Sequence, residues 1–304
     1  MASQDPSSAR PSGLRFALGA YFIWGLLPLY LRLVHAVPAF EFVGWRVIFT
    51  LPVCLIVVVL RRQGAEVRAA FSNPRVVGLL TLSALLIGGN WLVYILAVQR
   101  GHIFAGSLGY YINPLVNVLA GTVFLGERLT RRQWTAVALA AAGVLLLAWG
   151  ARDMLWISLT LAFSFAAYGL VRKFAPVGPL PGLTVETVLL LAPAIGIVWW
   201  QSSGVAGSSL GRSVRMDLLL ACSGVVTAVP LLLFATAARR MAISTLGFVQ
   251  FLAPTLMFLL GLFVFGEALR PIQLACFIAI WTAIALFCWD LWERHKAPTL
   301  RPPV

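Results

Sequence analysis

The sequence predicts an all-α integral membrane protein of ten transmembrane helices arranged as two inverted five-helix repeats. Three observations carry this. The 304 residues are 61% hydrophobic and only 11% charged, with a mean hydropathy of +0.92, more apolar surface than a soluble fold can hide. Apolar stretches recur along the whole chain, each long enough to cross a hydrocarbon core of roughly 30 Å, which takes about 20 helical residues. A phrase also occurs twice: SLGYYINPLVNVLAGTVFLGERLTRRQ at 107–133 and TLGFVQFLAPTLMFLLGLFVFGEALRPIQ at 245–273. From the proline onward Pro114/Pro254, Gly121/Gly261, Gly126/Gly266, Glu127/Glu267 and Gln133/Gln273 align without a gap, and upstream Leu108-Gly109 faces Leu246-Gly247.

The predicted spans are 14–34, 40–60, 75–98, 103–125 and 133–150 in the first half, and 154–171, 183–201, 216–238, 244–265 and 272–292 in the second. Residues 1–13 and 293–304 are tails, and the repeats cover 14–150 and 154–292. Span 1 contains Pro28 and Arg32 and is followed by no small-x-small cleavage site, so it is expected to be retained. Trp24-Gly25-Leu26 in span 1 faces Tyr168-Gly169-Leu170 in span 6, and Glu41 at the start of span 2 faces Glu186 at the start of span 7. Five spans per half make the halves enter the membrane from opposite sides. Links are short; the longest, 202–215, is Gly/Ser-rich and carries turn chemistry. No separate soluble domain is expected.

Sixteen of the 23 Lys and Arg residues lie on the side of the termini, and five (Arg100, Arg152, Arg212, Arg215 and Arg270) lie on the other. This bias predicts a multi-pass protein of the cytoplasmic (inner) membrane with both termini in the cytoplasm. It also explains the net charge of +13 without nucleic acid as a partner. The expected partners are the lipid bilayer and a small-molecule substrate, with a homodimer left open.

No cofactor is indicated. Cys54, Cys222, Cys276 and Cys288 lie within apolar spans without a CxxC, as small packing residues do. His35, His102 and His295 lie in loops or a tail and share no ligand spacing. No GxSxG, HExxH or GxxxxGK[ST] motif is present, which argues against an enzyme and against ATP hydrolysis as an energy source.

The residues that are costly to place in lipid cluster near the middle of the spans. Proline within a helix removes one backbone hydrogen bond and displaces a carbonyl, so Pro114 and Pro254 are expected to break spans 4 and 9 beside an internal cavity. Tyr110, Asn113 and Asn117 share one face of span 4, Asn90 and Tyr94 form a second stripe on span 3 behind Gly88-Gly89, and Gln250 lies one turn before Pro254. Span 8 adds Thr227 and Pro230. Trp24, Trp91 and Tyr168 are candidate walls. The alternative for each amide is helix-to-helix glue. Spans 4 and 9 are expected to line the site, with spans 3 and 8 behind.

Glu41, Arg46 and Glu186 are candidates for coupling or gating. Glu41 and Arg46 are too far apart around a helix to pair well. Arg46 lies about 9 Å into span 2 and should seek a helix end, a carboxylate elsewhere or an anionic group of a substrate. Both glutamates sit near a helix N-terminus, which alone stabilises a carboxylate. Glu127 and Glu267 are expected to shape tight turns, Thr130 to Gln133 has capping-box spacing, and Pro271 suits a first helical turn.

The phrases AYFIWG (20–25), VPAFE with Arg46, IGGNW (87–91), SLGYYINPL with GERL (107–129), AFSFAAYGLVRK (162–173), VETVLLLAP (185–193) and STLGFVQFLAPTLMFLL with GE (244–267) resemble the RarD-type group of the EamA family, in the drug/metabolite transporter superfamily. The resemblance covers about residues 14–292. It implies the drug/metabolite transporter fold, a central cavity alternately open to either side, and proton-driven export. The expected function is a secondary transporter of small amphipathic metabolites or drugs, largely uncharged or zwitterionic. A facilitated-diffusion permease, or a helical scaffold or receptor that transports nothing, is the alternative.

Overall fold

A computed structural model describes residues 10–99, 103–149, 155–204, 207–266 and 271–296. Among them the chain forms α1 (Arg10–Leu33), α2 (Ala39–Leu60), α3 (Gly64–Ser72), α4 (Pro74–Gln99), α5 (Ile103–Leu125), α6 (Arg131–Trp149), α7 (Leu155–Phe174), α8 (Pro179–Ser202), α9 (Val214–Arg240), α10 (Ile243–Gln250), α11 (Leu252–Phe263) and α12 (Pro271–Lys296). Ten stretches are long and apolar enough to span a membrane. Each predicted span is met within four residues at either end.

Helix ends follow local chemistry. Thr130 N–H donates to Gln133 Oε1 (3.0 Å) and Gln133 N–H to Thr130 Oγ1 (3.1 Å), a reciprocal capping box that opens α6. Asn73 Oδ1 accepts from the N–H groups of Arg75 and Val76 ahead of α4, whose first residue is Pro74. Pro271 begins α12. Gly126 (φ 62°) and Gly266 (φ 68°) turn the chain after α5 and α11 in the left-handed region that glycine tolerates.

Two elements differ from the sequence expectation. The loop after α2 contains a nine-residue helix, α3, which packs Val67 and Ala70 against Val76, Ala175, Val177 and Val185. A search for long apolar runs passes over so short an amphipathic segment. Of the two expected breaks, span 9 parts at Phe251, three residues before Pro254, whereas Pro114 lies inside an uninterrupted α5. At the break Phe251 N–H reaches back only to Phe248 O (3.3 Å), a tightened turn. In α5 the loss of one N–H is absorbed without a gap in the helix.

The most extensive interfaces join one half of the chain to the other: α1 with α9 and α11, α2 with α8 and α9, α4 with α7 and α8, α5 with α7 and α10, and α6 with α12. Exchanging each span with its counterpart five spans on maps this set onto itself. The pair α1/α9 becomes α7/α4, α2/α9 becomes α8/α4, and α5/α7 becomes span 9 against α1, while α2/α8, α5/α10 and α6/α12 map to themselves. The repeats therefore interlock about a pseudo-two-fold axis. Between helices in lipid, van der Waals contact and close backbone approach supply much of the attraction. A Cβ on Gly224 of α9 would lie 2.1 Å from Phe49 O of α2, and one on Gly247 of α10 would lie 2.7 Å from Pro114 O of α5.

Candidate functional site

A cavity of about 320 Å³ lies between the halves. α1 contributes Tyr21, Trp24, Leu27 and Leu31, three or four residues apart and so on one helical face. α2 adds Phe42 and Arg46, α4 adds Ile87, Asn90, Trp91 and Tyr94, and α5 adds Tyr110 and Asn113. Leu161 and Phe165 of α7, Thr227 and Leu231 of α9, and Gln250, Pro254 and Met257 around the α10–α11 break complete the wall. α4 and α9, expected behind the site, thus line the cavity directly, and α1 and α2 contribute as much as spans 4 and 9.

The floor is a ring of amides. Asn113 Oδ1 accepts from Gln250 Nε2 (2.6 Å) and Asn117 Nδ2 (3.0 Å), and Gln250 Oε1 accepts from Asn117 Nδ2 (2.7 Å) and Tyr21 Oη (3.3 Å). Asn113 Nδ2 donates to Ala162 O (2.9 Å), while Asn90 Nδ2 donates to Leu161 O and Ser164 Oγ, both at 2.8 Å. These amides therefore line a cavity and tie helices together at the same time. Asn117 and Pro114 sit behind the lining.

The walls are aromatic. Trp24 packs edge-on to Phe165 (5.5 Å between centroids) and tilted on Tyr21 (5.6 Å), and Tyr94 meets Tyr110 edge-on (5.8 Å). Tyr168 is one layer further out, stacked on Phe234 at 5.8 Å. Arg46 projects into the space between these walls. Its Nε donates to Thr227 Oγ1 (3.0 Å), and its guanidinium lies over the rings of Trp91 (4.7 Å) and Phe42 (5.8 Å).

The two acidic candidates lie elsewhere. Glu41, fully buried, accepts from Ser209 N–H (2.6 Å), Ser209 Oγ (2.7 Å), Ser208 Oγ (3.1 Å) and Trp45 Nε1 (3.1 Å), so it pins the 207–213 segment onto α2. Glu186 is buried beside Arg172 (Oε1 to Nη1, 3.3 Å) and accepts from Ser83 Oγ (2.5 Å). A smaller pocket lined by Glu186, Thr50, Trp91 and Thr227 lies between that pair and the main cavity.

The cavity wall reaches the α1–α2 turn at Val34, His35 and Val37, on the face opposite the N-terminus. The other face is closed. There Glu127, expected only to shape a turn, extends its carboxylate to the start of α10: Oε1 accepts from Ile243 N–H (2.8 Å), and Oε2 accepts from Ser244 N–H (2.9 Å) and from the Ser244 hydroxyl. This satisfies donors that a helix N-terminus leaves open. Lys173 Nζ bonds Ala238 O and Met241 O, and Arg239 bonds Ala175 O and Val177 O, closing the same face. The counterpart Glu267 lies outside the described residues.

Tyr21 and Phe165 were not singled out in the sequence, although they precede Trp24 and Tyr168 by the same three residues and are themselves repeat counterparts. That signal was available. Among the described residues no group of His, Cys, Asp and Glu is placed to hold a metal.

Residues 11–149 match the EamA-like transporter family. Protein RarD of Salmonella typhi is 46% identical over 279 residues, 91% of this chain and 95% of that protein. An uncharacterized transporter of Vibrio cholerae is 42% identical over 95% of this chain and 96% of its own length. A chloramphenicol-sensitive protein RarD of Pseudomonas aeruginosa is 33% identical over 91% and 94%. A protein crystal structure with 20% sequence identity superimposes with a TM-score of 0.72 over 91% of this chain and 97% of that one, a likeness of fold alone.

Proposed function

Because the chain belongs to the RarD-type group of the EamA-like transporter family, we propose that it is a secondary transporter of the cytoplasmic membrane that exports small amphipathic solutes by alternating access. The observation that carries this reading is the cavity itself. It is lined from both halves, reaches the amide floor, opens towards the α1–α2 turn and is shut at the other face by the Glu127–α10 contact. With both termini in the cytoplasm the cavity faces outward. Rocking of the halves would part α5 from α10 and expose the floor to the cytoplasm. The break at Phe251 gives span 9 a hinge beside the site.

Glu186 is the proposed protonatable group. Its Oε2 has no hydrogen-bond partner, as is also true of Nη1 and Nε of Arg172. Protonation would weaken the attraction to Arg172 and so loosen the closed half.

Two variants test the cycle, each with one added cysteine, Leu31→Cys in the cavity mouth or Val118→Cys in the α5–α10 interface, on a background with the exposed Cys222 and Cys288 replaced and the buried Cys54 and Cys276 retained. During counterflow in proteoliposomes, a solute from an antibiotic and metabolite panel including chloramphenicol should slow labelling of the first by a water-soluble maleimide and speed labelling of the second. A transported solute that changes neither rate sinks alternating access. Alanine at both Asn90 and Asn113 should abolish its transport.

A further inference from the structure

Arg46 is the cavity's unmatched charge. A guanidinium carries five N–H donors, and among the described residues only the Nε donor meets an acceptor, Thr227 Oγ1. The forked Nη1 and Nη2 end is met by aromatic faces. Even Arg172, Lys173 and Arg239, in the last turns of α7 and α9, are met by a carboxylate or by backbone carbonyls, whereas Arg46 lies two turns inside α2. An ionisable residue within a span is costly and faces the bundle interior or a water-filled cavity; Arg46 faces the cavity with no carboxylate beside it, which leaves its fork to water or to a solute from outside.

The cavity also says what that partner lacks. Among the described residues lining it there is no Asp or Glu, so an ammonium would enter beside a fixed positive charge with no counter-charge. The amide oxygens of Asn113 and Gln250 each already accept two hydrogen bonds. What remains for the body of a ligand is a ring of aromatic faces from Trp24, Trp91, Tyr94 and Tyr110, within a volume suited to one or two fused rings.

Taking the transporter reading as its premise, we infer that the cargo is an amphipathic organic anion: an aromatic body bearing one carboxylate or similar oxyanion, held two-pronged by Arg46. Planar guanidinium and carboxylate match in geometry. This replaces the uncharged or zwitterionic class expected from the residue types alone.

Four probes of one aromatic body separate the alternatives: indole-3-acetate (anion), indole-3-acetamide (neutral), tryptamine (cation) and tryptophan (zwitterion). Each is titrated against the purified full-length protein by thermal shift and tested for counterflow in proteoliposomes. The anion should bind at least about tenfold more tightly than the amide. Arg46→Gln should erase that preference, and Arg46→Lys should retain part of it. The inference is overturned if the amide, amine or zwitterion binds the wild type as well as the acid does, if none of the four binds, or if Arg46→Gln keeps the preference. Should Arg46→Gln not fold, the order of the four probes on wild type decides. The transporter reading is judged separately by the cysteine-accessibility cycle, which makes no use of these probes.

Discussion

The contact that closes the termini side of the cavity gives the most exposed prediction. Glu127→Gln keeps size and shape but removes the charge. The carboxylate accepts two backbone N–H bonds, at 2.8 and 2.9 Å, and a hydroxyl bond from Ser244. In the amide one oxygen becomes an NH2 that faces donors at the start of α10. One charge-assisted bond is then lost and another weakened, with some loss of favourable charge at a helix N-terminus, in total about 3 kcal/mol. If the contact exists only while this face is shut, the open population should rise about a hundredfold. The assay is the labelling rate of Val118→Cys, whose parent side chain lies within reach of Gly247 across the α5–α10 interface. The buried native Cys276, in the α6–α12 region, is the internal control. Faster labelling at 118 with no change at 276 reports local opening. Equal acceleration at both sites, or none at 118, would refute the latch and leave Glu127 a structural cap.

Three further outcomes follow from close contacts elsewhere. Gly224→Ala drives a Cβ into Phe49 O and should cost about 1 to 3 kcal/mol, read as a lower unfolding midpoint in detergent, whereas Gly196→Ala, with no atom within 4 Å, should be near neutral. Glu41→Gln should release the 207–213 segment, so that the Ser209 amide exchanges with deuterium at least about tenfold faster while α2 amides stay protected; unchanged exchange would mean that the segment holds itself. Glu186→Gln should make flux indifferent to a pH gradient and destabilise the protein by about 3 to 5 kcal/mol through the uncompensated Arg172. Replacing both residues by Met should restore stability but not the pH response, and persistent gradient dependence in either variant would remove Glu186 from coupling.

What the sequence disclosed was what lies along one helix. Apolar length located every span, the Thr130–Gln133 spacing produced its capping box, and Asn90, Tyr94, Tyr110, Asn113 and Gln250 were placed on faces that do meet at one cavity. Contacts across the halves were not legible. Arg46 had three candidate destinations in the sequence, and only packing of α2 against α9 and α4 shows it bonded to Thr227 and laid over Trp91. The turn glutamate Glu127 could not be seen to reach a helix more than a hundred residues away. Likewise the ring among Asn113, Asn117 and Gln250 depends on which amide faces which, and helical spacing is silent on that.

The interlocked packing bears on how the chain is made. A ribosome delivers α1 to α6 to the membrane first, yet their extensive partners are α7 to α12. Until those arrive, Arg46, Asn113 and Asn117 have neither Thr227 nor Gln250 to bond, and Gly25 and Gly44 have neither Leu256 nor Val198 to receive. The half-made protein is therefore an insertion intermediate with polar flanks turned towards lipid. Such a chain invites retention by the insertion machinery or by a membrane chaperone until synthesis is complete. Two separately translated halves should rescue each other when produced together, and each should be degraded when produced alone.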